Sequence, residues 1–164
     1  MARTVDQTRT SDQWERLYVS LRPDLTRSLV AATGGYDGVE DAIQDAFAKA
    51  LRTQPESMTN PEGWFFTVAL NCLRRARRRA AVFRPLTGEP SASTRELDAA
   101  LDRNTAMRAL RSLPERERTL LVAKYYVGLS QEEIARVLGM SRGTVSAAIS
   151  RAVARLREIE EAVR

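Results

Sequence analysis

Five arginines occupy positions 74, 75, 77, 78 and 79, within the stretch NCLRRARRRA that spans residues 71–80. A guanidinium is charged at any physiological pH, and its planar donors fit phosphate oxygens. Residues 61–84 hold six basic residues and one acidic residue, a net charge of +5 that equals the formal charge of the whole chain. The run therefore suggests a surface that binds a polyanion, although a solvated helix face or a localisation tag would carry similar residues.

The flanking residues place this run on a helix that we predict from Pro61 to Val82, with Asn60 as its N-cap. At 100° per residue, an apolar side is predicted for Phe65, Ala69, Cys72, Ala76 and Ala80. The other side carries Thr67, Asn71, Arg74 and Arg78, with Arg75 and Arg77 on its edges. The arginines thus continue a one-sided helix, which favours contact with nucleic acid over a tag in a flexible tail.

A second candidate for nucleic-acid binding lies near the C-terminus. Ser130 and Glu133 form a capping box, and Ala135, Gly139 and Val145 provide the close approach, the turn and the buried anchor of a helix-turn-helix. The predicted outward residues of its second helix are Arg142, Thr144, Ser146, Ala147, Ser150 and Arg151. Such a face suits the major groove and its phosphates. An ordinary helical hairpin is the alternative.

An acidic stripe precedes the arginine run. Between Val39 and Leu51, apolar residues recur at helical spacing, and the opposite face carries Glu40, Asp41, Gln44 and Asp45. Taken alone, this face is typical of a solvated helix, and it is also available to a protein partner.

Composition excludes most enzyme classes. The 164 residues include no histidine and one cysteine, Cys72, which falls on a predicted apolar face. No histidine-based triad or metal site can form, and no glycine-rich phosphate loop is present. We therefore predict no catalytic residue, no metal and no cofactor. Without an apolar leader or a membrane-length apolar run, the expected location is cytoplasmic, with no membrane contact.

The fold class expected from this pattern is all-α, with two small helical domains joined by a flexible linker. Hydrophobic residues make up 43% of the chain, few are β-branched in runs, and apolar positions recur at three and four residues. A first helix should run from Ser11 to near Gly34, with Pro23 inside it. The stretch FRPLTGEPSAST breaks the periodicity, so the predicted divisions are a domain at 11–84, a linker at 85–97 and a domain at 98–161.

In this order, the segments resemble a known family. VEDAIQDAFAKAL resembles the region 2.2 helix of bacterial sigma factors, NPEGWFFTVALNCLRRARRR resembles their regions 2.3 and 2.4, and LRSLPERERTLLVAKYYVGLSQEEIARVLGMSRGTVSAAISRAVARLR resembles region 4. Without room for regions 1.1 or 3, the chain resembles the extracytoplasmic-function group of the sigma-70 family. The resemblance implies a promoter-specificity subunit that binds core RNA polymerase, recognises −10 and −35 elements and helps to open the promoter.

The resemblance also implies residue roles. Glu40, Asp41, Gln44 and Asp45 would bind the clamp helices of the polymerase. Asn71, Arg74, Arg75, Arg77 and Arg78 would bind −10 DNA, and the outward face of the last helix would bind the −35 element. An apolar groove of region 4 would meet the flap tip, and an anti-sigma factor is an expected partner. The candidates for the core around that groove are Leu120, Leu121, Tyr125 and Tyr126, with a purely structural core as the alternative.

Three residues depart from the family pattern. Arg75 stands where the family often has an acid, and Ser146 and Ala148 replace basic residues that usually touch DNA, so we expect a weaker grip on the −35 element. Two alternatives remain at this level: a free-standing helix-turn-helix regulator and a helical adaptor whose basic face meets an acidic protein.

Overall fold

A computed structural model describes residues 2–52, 59–83, 95–97, 99–100 and 103–163, with side chains from residue 11 onward except residue 163. Every regular element in these ranges is helical, which confirms the predicted fold class. The elements are α1 Ala2–Thr33, α2 Val39–Ala50, α3 Pro61–Phe83, α4 Thr105–Ser112, α5 Glu115–Leu121, a π-helix Val122–Tyr126, α6 Gln131–Leu138 and α7 Arg142–Val163.

The N-terminal unit is a bundle of α1, α2 and α3, in which each helix packs on the other two. Six residues of the predicted apolar stripe of α2 are buried: Val39, Ala42, Ile43, Ala46, Phe47 and Ala50. The seventh, Leu51, lies just beyond the end of the helix and is 63% exposed, so the predicted stripe is wrong at that position. An aromatic cluster fills the centre. Phe47 stacks on Phe65 with ring centroids 4.0 Å apart, and Trp14 meets the edge of Phe65 at 6.3 Å.

Pro23 does not interrupt α1. Proline removes one intrahelical hydrogen bond, whose acceptor would be the carbonyl of Val19. Val19 and Pro23 are exposed, so water can reach that carbonyl, while Leu25, Leu29 and Val30 in the following turns are buried. Packing of these turns against the bundle keeps the helix continuous to Thr33, and Gly34 then ends it with a φ of +89°.

The C-terminal unit contains α4 to α7 and the π-helix. Asn104 caps α4 by accepting hydrogen bonds from the backbone N–H groups of Ala106 and Met107. The cap separates α4 from the helical residues 95–97 and 99–100. Most of the predicted linker, residues 85–94, lies outside the described residues, and its last three residues are helical.

The helix that begins at Glu115 widens into a π-helix after Leu121. The N–H of Val127 bonds to the carbonyl of Val122 at 2.9 Å, five residues back. This wider turn keeps Val122 and Ala123 buried and leaves Tyr125 and Tyr126 exposed.

The two units pack against each other. Helix α5 contacts α1 on one side and α7 on the other, and the buried residues of both units form one continuous apolar cluster. Within the described ranges, no helix combines the length and apolar character needed to cross a membrane.

Candidate nucleic-acid and polymerase interfaces

The acidic face of α2 lies opposite its buried stripe. Asp41, Gln44 and Asp45 are exposed on this face. Glu40 differs, because it accepts a hydrogen bond from the Tyr18 hydroxyl at 3.0 Å and pairs with Arg22 at 3.1 Å. Partial burial opposes the charge of Glu40, but the bonds from Arg22 and Tyr18 outweigh it and lower its pKa. Three of the four predicted residues are therefore open to a partner, and Glu40 joins α2 to α1.

The arginine run continues α3 beyond the core of the bundle. Asn60 caps the helix as predicted, accepting a hydrogen bond from the N–H of Gly63 at 3.0 Å. The last buried residue of α3 is Leu73. Ala76 and Ala80 are exposed, so the predicted apolar back of the run is wrong at these positions, because none of the helices among the described residues covers them. The distal end of α3 therefore projects from the bundle, with Arg75 and Arg78 exposed.

Two of the predicted −10 residues are engaged within the chain. Arg77 donates a hydrogen bond to the carbonyl of Asp37 at 3.0 Å. The Arg74 side chain, 24% exposed, lies 3.7 Å from the carboxylate of Glu115 and donates to the Thr119 hydroxyl at 3.3 Å. Burial lowers the pKa of Arg74, although Glu115 opposes this effect.

Asn71 is exposed and lines a cleft of about 420 Å³ between α3 and α6. Asn60, Trp64 and Thr67 form the same wall, while Glu133, Arg136 and Val137 are among the residues opposite. Trp64 is partly buried and packs edge-on to Phe65, so the tryptophan belongs both to the core and to the wall of the cleft.

The turn between α6 and α7 has the geometry that the sequence predicts for a helix-turn-helix. Ser130 accepts from the N–H of Glu133, whose carboxylate accepts from the N–H of Ser130 at 2.7 Å. The pKa of Glu133 is lowered, chiefly by the hydrogen bond that its carboxylate accepts from the backbone N–H of Ser130. Gly139 is left-handed at φ +62°, Ser141 caps α7, and Val145 is fully buried. These bonds fix the angle at which α7 leaves the turn.

The outward face of α7 agrees with the sequence prediction. All six predicted residues are exposed: Arg142, Thr144, Ser146, Ala147, Ser150 and Arg151. Arg142 pairs with Glu132 at 2.9 Å on the surface. Ala148 is buried at 9% exposure, so this position faces the core and cannot offer a side chain to DNA in this arrangement. Of the two positions that lack the usual basic residue, only Ser146 is therefore placed where a missing basic side chain would weaken contact with DNA.

An apolar cleft of about 580 Å³ lies between α1, α4, the π-helix and α7. Leu121 and Val122 lie at its base, and Tyr125 and Tyr126 line its exposed side. Of the four residues predicted for a groove, Leu120 and Leu121 are thus buried, whereas the tyrosines are exposed.

Comparison with known proteins explains this combination of faces. Family models described as Sigma-70 region 2 and Sigma-70, region 4 match residues 17–82 and 103–156. The ECF RNA polymerase sigma factor SigL of Mycobacterium tuberculosis is 35% identical over 144 residues, which cover 81% of this chain and 80% of SigL. The chain belongs to the extracytoplasmic-function sigma factors.

Further relatives agree. The RNA polymerase sigma-E factor of Streptomyces avermitilis is 33% identical, with 82% of this chain and 67% of that protein covered. The solved structure of CnrH in complex with the cytosolic domain of CnrY has a TM-score of 0.62 at 26% identity, covering 93% of this chain and 90% of CnrH. The sigma factor RpoE of Bartonella quintana, in complex with the anti-sigma factor NepR, shares the fold with a TM-score of 0.66 at 23% identity, covering 93% of this chain and 99% of RpoE.

This sigma factor is a promoter-specificity subunit of RNA polymerase that binds promoter DNA and initiates transcription. The rival readings, a free-standing regulator and a helical adaptor, are not favoured by these comparisons. The subunit is not itself an enzyme, as expected from the sequence.

Sequence reasoning missed the residues that join region 2 to region 4, chiefly Glu115, Arg118 and Thr119. Arg118 donates to backbone carbonyls 85 and 86 positions earlier in the chain, and Arg74 bonds Thr119 across 45 positions. No periodicity along one helix carries information about partners so distant in sequence.

Proposed function

We propose that three separate faces of the chain divide the work of the sigma subunit. The acidic face of α2 binds the clamp helices of core polymerase. The α3 face, with Asn71, Arg74, Arg75, Arg77 and Arg78, binds and helps to melt the −10 element, while the outward face of α7 reads the −35 element. The −10 contacts would lie on region 2 and the −35 contacts on region 4. The proposed bounds are residues 11–84 for region 2 and 98–161 for region 4, with a linker at 85–97.

The observation that carries this proposal is that the α2 and α7 faces are exposed on the helices that match the corresponding sigma regions, and that Asn71, Arg75 and Arg78 are exposed on α3. Asp41, Gln44 and Asp45 point away from the α2 core, and the six residues on α7 are all exposed. Glu40 would contribute in two ways, by contacting the polymerase and by holding α2 against α1 through its ion pair with Arg22. The apolar cleft at Tyr125 and Tyr126 is the proposed meeting place with the flap tip.

Core binding gives the direct test. We expect Asp41→Ala with Asp45→Ala to weaken affinity for core polymerase by roughly tenfold, since two charge-assisted contacts would be lost. A double variant at exposed acids of α7, Glu158→Ala with Glu161→Ala, removes the same charge elsewhere and should leave affinity unchanged. Fluorescence anisotropy of labelled sigma titrated with core measures both, and equal affinities in all three proteins would refute the role of α2.

A regulator and a location complete the proposal. Two solved structures of similar fold hold the sigma factor with NepR or with the cytosolic domain of CnrY. We infer that this sigma factor is likewise held by an anti-sigma protein and acts in the cytoplasm, where polymerase and promoter DNA reside. Addition of the purified regulator to sigma before core should suppress run-off transcription, and addition after holoenzyme formation should suppress it less.

A further inference from the structure

The last turn of α3 presents two large apolar side chains to solvent. Val82 is 78% exposed and Phe83 is 79% exposed, the highest values among the large apolar residues that the structure describes. The other three phenylalanines of the chain, Phe47, Phe65 and Phe66, are buried in the bundle. A solitary exposed ring is ordinary on a protein surface, so the role of Phe83 depends on what surrounds it.

The neighbours of Phe83 on α3 are arginines and alanines. Arg79 is exposed four residues before the ring, on the same side of the helix. Ala76 and Ala80 are exposed on that side as well, so no bulky side chain of α3 shields the ring. The helix carries no acidic residue after Glu62. The ring therefore lies at the end of a positively charged surface that is open to solvent.

A single strand of DNA with unpaired bases matches both features of this surface. Its phosphates suit exposed guanidinium groups, and the flat faces of its bases suit an aromatic ring. In duplex DNA those faces are stacked on one another and are not accessible to a side chain. The sigma subunit binds promoter DNA and initiates transcription, which exposes unpaired bases, so this ligand is present where α3 acts.

The position of Phe83 along α3 sets which part of a strand it can meet. Asn71 and Phe83 are separated by about 18 Å along the helix axis, at a rise of about 1.5 Å per residue. That length corresponds to roughly five nucleotides of a strand at the B-form rise of about 3.4 Å. The ring and the proposed −10 contact at Asn71 would therefore meet different nucleotides, with the arginines between them.

We propose that Phe83 is a stacking platform for an unpaired base of promoter DNA, on the strand whose phosphates the arginines of α3 hold. A base that leaves the duplex loses its stacking partners, and the ring replaces one of them. Phe83 thereby favours the open complex over the closed one. This inference rests on the proposed DNA-binding role of α3 and adds a contact one turn beyond the arginines.

The stacking test compares two fluorescent oligonucleotides of equal length and charge, bound by the full chain at low salt. One is a single strand of mixed sequence, and the other is an abasic strand that keeps every phosphate and lacks the bases. Because the electrostatic attraction is the same, the ratio of the two dissociation constants measures the preference for bases. Phe83→Leu keeps an apolar side chain without the ring and should lower this preference about fivefold, since one stacked base is lost.

Matched controls separate the ring from apolar area and from charge. Phe83→Trp keeps an aromatic face and should retain the preference for bases, whereas Val82→Ala shortens an equally exposed neighbour and should leave the preference unchanged. Arg75→Ala with Arg78→Ala should weaken binding of both strands alike, because the phosphates are common to both. All four positions are exposed, so these changes leave the packing of the bundle intact.

The promoter test uses holoenzyme and measures the lifetime of the open complex after challenge with a competitor. Phe83→Leu should shorten this lifetime about fivefold, and Phe83→Trp should restore it. An unchanged lifetime with Phe83→Leu would overturn the role of the ring at the promoter.

The remaining outcomes separate the stacking contact from the proposed −10 role. An undiminished preference for bases in Phe83→Leu would overturn the stacking contact, and so would an equal loss in Val82→Ala. Weaker binding of Phe83→Leu to core polymerase, with the preference for bases unchanged, would assign the ring to a protein contact instead. Normal promoter opening by the Arg74→Ala, Arg78→Ala holoenzyme, together with a lost base preference in Phe83→Leu, would leave the stacking contact standing and remove the −10 role of those arginines.

Discussion

At the scale of single residues, neighbouring charges on α2 have different surroundings and so different expected roles. Glu40 is held by Tyr18 and Arg22, whereas Asp41 has an exposed side chain on the adjacent position. A carboxylate already paired within the chain must exchange partners before it can bind another protein, and this exchange offsets part of the gain. Asp41 therefore has more to contribute to a polymerase contact than Glu40 does.

The pairing of Glu40 predicts a pH-dependent effect on stability. Because its folded-state pKa is lowered, its contribution is present above the unfolded value and is lost as pH falls through 4.5 and below. Glu40→Gln should lower the melting temperature at neutral pH by a few degrees at most, since the pair is half exposed. Thermal melts across pH should show the two proteins converging in acid; a constant difference at every pH would contradict this account.

At the scale of elements, apolar periodicity correctly predicts the buried face of a helix only where a neighbouring element covers that face. The buried stripe of α2 and the capping box of α6 were predictable, because the relevant partners lie within one helix turn or one bundle face. The exposure of Ala76 and Ala80 was not, since within the part of the chain that the structure describes no helix covers the end of α3. Ala148 shows the reverse: a position expected at DNA is buried, together with Val145, Ile149 and Ala152 of the same helix.

The arginine run of α3 predicts a defect in promoter opening. Arg74→Ala with Arg78→Ala should slow open-complex formation by preformed holoenzyme by roughly tenfold, since two phosphate contacts would be lost. Affinity for core should change much less, because these side chains lie away from the acidic face of α2. Stopped-flow fluorescence of promoter DNA measures opening.

The matched control for that pair is Arg103→Ala with Arg108→Ala, which removes two exposed arginines from the start of region 4. If the control slowed opening as strongly as the α3 pair, total charge rather than the α3 face would explain the effect.

The outward face of α7 makes a different prediction. Arg142 forms an exposed ion pair with Glu132, which contributes little, so its guanidinium is readily available to phosphate. Arg142→Ala with Arg151→Ala should weaken binding of holoenzyme to a promoter with both elements by roughly tenfold, and should reduce the salt dependence of binding. Filter binding at several salt concentrations measures this, and a promoter lacking its −35 element should be nearly insensitive to the change.

At the scale of the whole molecule, the two sigma regions form one continuous packed body. The sequence indicates two helical units and their order, because each has its own apolar periodicity and caps. The packing of the two units against each other could not be predicted from the sequence, because it depends on contacts between distant residues. The guanidinium of Arg118 donates to the carbonyls of Ala32 and Thr33, which lie on the other side of the linker in the sequence. The candidate DNA faces could likewise be located by helical phase, whereas the engagement of Arg74 by Glu115 required the tertiary structure.

The most direct test of the sigma assignment is in vitro transcription followed by start-site mapping, with purified chain and bacterial core polymerase on a genomic DNA library. A sigma factor should direct initiation at a discrete set of start sites that share −10 and −35 sequences, and the Asp41→Ala, Asp45→Ala variant should lose those transcripts. Binding of the chain to DNA by itself, with no chain-dependent transcript from core polymerase, would contradict the account.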